Sequence, residues 1–234
     1  MVHDRAGREP STLKLVTAFA AVYLVWGSTY LAIRFVVETL PPFIMAGARF
    51  LLAGAMLYVW ARYKGAVRPT LAHWRATAVI GGLLLLGGNG GVVWAEKFVP
   101  SGLTALLVAM VPMWVVLVEW LRPRGVKPSM MTIAGLILGF AGICILASPK
   151  EILGSGSVDP LGAGVLVIAS LSWAIGSVRS KHVPLPSSGL LTTGMEMLCG
   201  GALLMVFGTL VGDWSNLHWA GVTLKSVLSL AYLV

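Results

Sequence analysis

The sequence predicts an all-α membrane protein: two inverted repeats of five transmembrane helices, the second incomplete, with about 7.5 helices present of an expected 10. Three observations predict it. Hydrophobic residues make up 57% of the 234-residue chain and charged ones only 11%, with mean hydropathy +0.87, whereas roughly a quarter of the residues of a soluble domain are charged. Apolar runs of about 20 residues, enough to cross a hydrocarbon core, recur along the whole chain. The chain also matches itself at an offset of 147 residues.

The spans read, in order, at 13–37, 43–61, 76–95, 102–121, 130–147, 161–178 and 189–211, with an eighth starting near Trp219. Pro41-Pro42, Lys64 to Pro69, Pro100-Ser101, Arg122-Pro123-Arg124, Ser148 to Pro160 and Pro184 to Ser188 separate them, carrying the turn and charge chemistry that stops a helix. The first run, behind Arg5, Arg8 and Lys14, is too long for a signal-peptide core and lacks a small-x-small cleavage site, so it reads as an uncleaved helix. Short connections make neighbouring spans antiparallel. Backbone groups in lipid must bond internally, and no segment alternates like a barrel strand, so the bundle is helical.

The 17 Lys and Arg against 9 Asp and Glu give a net charge of +8. These basic residues sit in loops between apolar spans, where they orient the chain and meet anionic head groups, so the partner they imply is the lipid bilayer and not nucleic acid. Twelve of them, from Arg5 through Arg62, Arg75, Arg122 and Lys181, fall on one side, against Lys97, Lys150 and Arg34 on the other. The positive-inside rule makes that first side, and the N-terminus, cytoplasmic. Cys144 and Cys199 lie within spans and read as small buried hydrophobes.

At the 147-residue offset Trp26 falls on Trp173, Arg34 on Lys181, Gly47 on Gly194, Arg49 on Glu196, Leu51 on Leu198 and Gly54 on Gly201; a two-residue slip then aligns His73-Trp74 with His218-Trp219. A unit of five helices is odd, so its second copy enters the membrane from the opposite side. The division is a tail over 1–12, a first repeat over 13–147, a loop over 148–160 and a second repeat over 161–234 interrupted within its third helix. Two whole copies on this spacing need roughly 290 residues.

Polar residues inside spans are the candidate functional groups, since each costs free energy unless it is paired or wetted. Arg49 and Glu196 both approach the midplane. Either they pair, or share a charged pocket with substrate, or each locks its own helix through neighbouring backbone and hydroxyls. The first helix carries WGSTY, placing Trp26, Ser28 and Tyr30 far deeper than an interfacial belt, and the sixth helix answers with Ser170, Ser172, Trp173 and Ser177. Transporters place their sites at the repeat interface near the midplane, so these helices line a substrate path; the alternative is small-residue packing with hydroxyls bonded to backbone. In the third helix GGNGGVVWAEK joins glycines to Asn89, Trp94 and Glu96. Its glycines either admit a neighbouring helix or unwind locally toward a cavity, and Glu96 is either interfacial or a gate or proton site. Gly135 and Gly139 form a GxxxG pair that predicts close packing of the fifth helix. The histidines, in the tail or at helix ends, assemble no metal or catalytic set, no GK[ST] or strand-linked GxGxxG occurs, and neither an enzyme, a metal nor a cofactor is expected.

VYLVWGSTYLAIRFVVETLPPFIMAGARFLLAG, GNGGVVWAEKFVPSGLTALLVAMVP and SWAIGSVRSKHVPLP together resemble the EamA-type drug/metabolite transporter superfamily, and within it the YedA-like inner-membrane permeases. The resemblance implies ten helices in two repeats, in the bacterial inner membrane, with both termini cytoplasmic and small metabolites, amino acids or drugs as exported solutes. The expected activity is a secondary carrier working by alternating access around helices one, three, four and six, with a proton as candidate coupling ion through Glu196 or Glu96. The competing expectations are a non-transporting membrane scaffold and a partial transporter that needs a second chain.

Overall fold

The computed structural model describes residues 12–123, 125–146, 159–217 and 221–234; the His218-Trp219 half of the sequence match lies outside them. Helix α1 spans Thr12–Val37 and stops ahead of Pro41-Pro42. Helix α2, Pro42–Tyr63, starts on a proline whose missing N–H falls in the first turn, where no intrahelical acceptor exists anyway. Two of its free first-turn amides, Phe43 and Ile44, donate to Asp213 Oδ2 at 2.9 and 3.3 Å, so a buried carboxylate 170 residues away caps this helix and meets the positive end of its dipole. Helix α3, Leu71–Gly81, begins earlier than hydropathy alone marks because Thr70 and His73 close a reciprocal capping box at its N-terminus. It runs through a π-helical stretch, Gly82–Gly90, into α4, Gly91–Ala95.

The fourth apolar span is broken into α5, Ser101–Val108, and α6, Val111–Leu121. Pro112 cannot donate to the carbonyl of Val108, which ends the first segment there. Then follow α7, Met130–Leu146; α8, Pro160–Ser180, whose first turn is capped by Asp159; α9, Gly189–Leu210, capped by Ser188; and α10, Leu224–Leu233, capped by Thr223. Among the described residues six spans are long and apolar enough to cross a membrane, with α7 and α10 shorter, and no strand occurs.

The central contact is α2 against α9, which cross antiparallel through four glycines. A methyl added at Gly54 would stand 3.0 Å from the Gly194 carbonyl and 2.9 Å from the Leu198 amide nitrogen; one added at Gly201 would stand 3.1 Å from the Gly47 carbonyl and 3.0 Å from the Leu51 amide nitrogen. These two contacts interchange when every residue is moved by 147 positions, and so do those of Gly47 with Met205 and Gly194 with Tyr58. Reciprocity of this kind is the mark of a local two-fold relation between helices, and it is consistent with an inverted repeat.

The third span is held on both sides. Gly81 meets the Glu196 carbonyl and Gly200 of α9, while Gly88 and Gly91 admit Trp173 and Ala169 of α8. Ser172 Oγ donates to the carbonyl of Leu83 in the π stretch at 2.8 Å. The glycine-rich segment thus admits neighbours on both sides, and its departure from α-helix is a π stretch whose Leu83 carbonyl is taken up by Ser172. Helix α10 lies along α1, through Thr39 Oγ1 to Ser226 Oγ (2.7 Å), Lys225 to Glu38 (3.5 Å) and Ser28 to Tyr232 (2.6 Å). The main core, Ile33, Val36, Met45, Phe50, Val93 and Leu204, fills the space between α1, α2, α4 and α9.

One expectation fails. Gly135 and Gly139 of α7 have nothing within 4 Å, and this helix makes no extensive contact with another described one. GxxxG marks a surface that backbones can approach, and by itself supplies no partner.

Candidate substrate cavity

Helix α1 brings Trp26 and Tyr30 to one face, one turn apart, because residues four apart in a helix stack above one another. The Trp26 indole N–H donates to Tyr30 Oη at 3.4 Å. Opposite them, α8 presents Trp173, whose ring centroid lies 6.1 Å from that of Trp26 at an interplanar angle of 32°. The two tryptophans that the sequence offset aligned thus face each other. Beside them lies an open-mouthed cavity of about 460 Å³, bordered on the third side by Asn89 and Val92 and lined further by Val25, Thr29 and Ile33. A second cavity, about 500 Å³, shares Trp26, Tyr30 and Trp173 and extends to α5 and α6 at Val108 and Pro112. Both volumes fall in the range of small-molecule sites, and the walls are apolar and aromatic with few polar groups, as such sites are.

Of the predicted site residues, Trp26, Tyr30, Asn89 and Trp173 therefore line one cavity. Ser28 turns away, its hydroxyl taken up by the carbonyl of Leu24 at 2.6 Å and by Tyr232. Trp94 lies tilted against Phe98 and borders a separate cleft with Phe43 and Phe207. Ser177, half-buried on α8, is not in the lining, and its carbonyl accepts from Ser180. Thr29 lines the cavity, with its hydroxyl bonded to the Val25 carbonyl at 2.7 Å.

The intramembrane charges are not paired with each other. Arg49, 4% exposed, donates to Asn89 Oδ1 at 3.1 Å and lies over the Phe50 ring, 4.4 Å from its centroid. Glu196 sits half-buried on α9, with no ion pair or hydrogen bond of its carboxylate among the described residues. Sequence offset made these positions equivalent but not adjacent: a two-fold relation brings two exchanged sites together only when both lie close to its axis.

Glu96 follows α4, in the connection to α5, and is fully buried. Its Oε2 accepts from Ser101 Oγ at 3.2 Å, its Oε1 has no partner, and the Arg34 guanidinium donates to its backbone carbonyl at 3.3 Å. Burial pushes its carboxyl up to about 7, opposed by the Ser101 hydrogen bond and the Arg34 charge. Sequence reasoning missed Asp213, Ser101 and Trp114, whose indole N–H donates to the buried Ser170 hydroxyl at 3.1 Å and ties α6 to α8. Nothing in the local sequence of Asp213 marks it as the cap of a helix 170 residues earlier.

Residues 13–148 match the model of the EamA-like transporter family. The chain belongs to that family. It is 40% identical over 202 residues to the inner membrane transporter YedA of Escherichia coli, covering 86% of this chain and 64% of YedA, so it spans just under two thirds of that relative's length. The transporter YvbV of Bacillus subtilis is 24% identical over 231 residues, covering 94% of this chain and 72% of that protein, and a chloroplastic WAT1-related protein of Arabidopsis thaliana is 26% identical, covering 84% and 48%. No solved structure matches. Family membership and the six long apolar helices make this chain a multi-pass inner-membrane protein.

Proposed function

We propose that this EamA-family chain acts as a secondary carrier that exports a small amphipathic solute, a metabolite, amino acid or drug, by alternating access. The observation that carries the reading is the cavity between Trp26, Tyr30, Asn89 and Trp173, an aromatic chamber with one amide set among membrane spans. An apolar body stacks on the indoles while the polar end meets Asn89 and Tyr30. In this reading the division is two inverted repeats, 13–147 and 161–234, the N-terminus is cytoplasmic, and the site lies between the copies. The reciprocal crossing of α2 and α9 supports that division.

Glu96 is the proposed proton site. Its carboxyl, raised to about 7, changes charge near neutral pH, and it sits beside Arg34 at the end of α1, the helix that carries Trp26 and Tyr30. The test is transport by the reconstituted chain in proteoliposomes with an imposed pH gradient. Expected are solute movement driven by the gradient, a loss of about tenfold or more in Trp26→Ala and Trp173→Ala, and loss of gradient dependence in Glu96→Gln. Failure to move any member of a metabolite, amino-acid and drug panel under any gradient would sink the carrier reading.

A further inference from the structure

We propose that Asn89 is the specificity-determining residue of the cavity and that Arg49 orients it, so that the site selects amphipathic solutes carrying a carboxylate and rejects their ammonium counterparts. The inference rests on the cavity reading above and adds the chemistry of the polar end.

Donor and acceptor inventories fix the orientation of the Asn89 amide. A guanidinium only donates, so the Asn89 atom 3.1 Å from it must be the carbonyl oxygen. The amide cannot flip without setting its own N–H₂ against the donors of Arg49. Both N–H groups of Asn89 therefore point away from Arg49, and they have no acceptor among the described residues although Asn89 lines the cavity. Tyr30 reinforces this polarity: its oxygen accepts from Trp26, which leaves its own O–H free to donate. Thr29, the remaining hydroxyl in the lining, already gives its hydrogen to Val25. The polar tips of an otherwise apolar cavity thus present hydrogens, which is what an acceptor needs and what a cation repels.

Charge points the same way. Arg49 is 4% exposed, has no acidic partner within 4 Å among the described residues, and leaves its Nε buried without an acceptor. A buried guanidinium without a counter-ion polarises the amide in front of it and favours negative charge on the far side, in a setting where water screens little. The cavity lining holds no acidic side chain to cancel that field. The fit is an apolar body against Trp26 and Trp173 with a carboxylate at the Asn89 N–H₂.

The test is direct binding of three probes with one body, 4-phenylbutyrate, 4-phenylbutanamide and 4-phenylbutylamine, to the purified full chain in nanodiscs at pH 7.5. The expected order is carboxylate first, amide second and ammonium last, with roughly 10- to 100-fold between the ends, the range for one charge-assisted hydrogen bond. Asn89→Asp, equal in size but without N–H donors, is expected to cut carboxylate binding at least about tenfold while leaving the amine unchanged or stronger. Asn89→Leu, the second variant should the first misfold, brings the three probes together. Arg49→Gln is expected to lose the order and Arg49→Lys to restore it, whereas a purely structural role would weaken all three probes alike. Equal binding of amine and carboxylate, or an order unchanged in Asn89→Leu, overturns the proposal and leaves the cavity standing. If no probe binds and Trp26→Ala leaves transport intact, the cavity reading falls with it.

Discussion

The carboxyl of Glu96 is easier to protonate in the folded protein than in an unfolded chain, because burial raises it from an ordinary value near 4.5 to about 7. Between those two values the folded state holds the extra proton, so its stability is greatest below about pH 4.5 and falls as pH rises through 7. The melting temperature of the detergent-solubilised protein is therefore expected to drop between pH 5 and 7.5, by about 2–4 °C for each kcal/mol lost. In Glu96→Gln this part of the slope is expected to vanish; an unchanged slope would assign the pH dependence elsewhere. Asp213 has a different task. Its buried carboxylate holds two amides at the start of α2, so Asp213→Ala is expected to destabilise the protein by about 1–3 kcal/mol in a thermal melt. Asp213→Asn, which keeps an acceptor oxygen, should recover part of the loss.

Elements differ in how they answer to small residues. The crossing of α2 and α9 leaves no room for a side chain at Gly54, where an added methyl would touch backbone that cannot swing aside. Gly54→Val is expected to cost at least about 2 kcal/mol or prevent folding, while Gly139→Val on α7, where nothing stands within 4 Å, should leave the melt unchanged. A detergent-stability comparison of the two reads this directly. The spans were legible in the sequence because lipid demands long apolar runs, and their ends mostly agree with the helices. The exceptions have local causes: the Thr70 and His73 box lengthens α3 at its start, Pro112 divides the fourth span, and the eighth helix, expected from near Trp219, begins at Leu224 behind its Thr223 cap. GxxxG misled because the motif describes a surface and not what covers it. Trp26 and Trp173 were legible as lining candidates, their direct contact was not, and Ser28 and Ser177 were not separable from cavity residues, since rotation about a helix axis decides which way a side chain points.

For the whole molecule, the loop charges set an orientation that chemical labelling can read. Arg68 and Lys97 are both exposed, in connections at opposite ends of the bundle. With Cys144 and Cys199 replaced by Ser, Lys97→Cys is expected to react with a membrane-impermeant maleimide in intact cells, and Arg68→Cys only after the membrane is opened. The reverse pattern would invert the topology. The remaining long-range facts, Asp213 at the start of α2 and Arg49 on Asn89 in place of Glu196, were beyond sequence reading, because each depends on which helices become neighbours and at what rotation. The four-glycine crossing also has a mechanical meaning. The backbones of the two helices come into direct contact at Gly54 and Gly201, while the Met205 side chain and the Tyr58 backbone already fill the notches at Gly47 and Gly194 and stand in the way of sliding along the helix. Were the carrier to alternate its access as proposed, this close backbone joint would be the natural fulcrum, and the cavity walls, lying away from it, would move the farther.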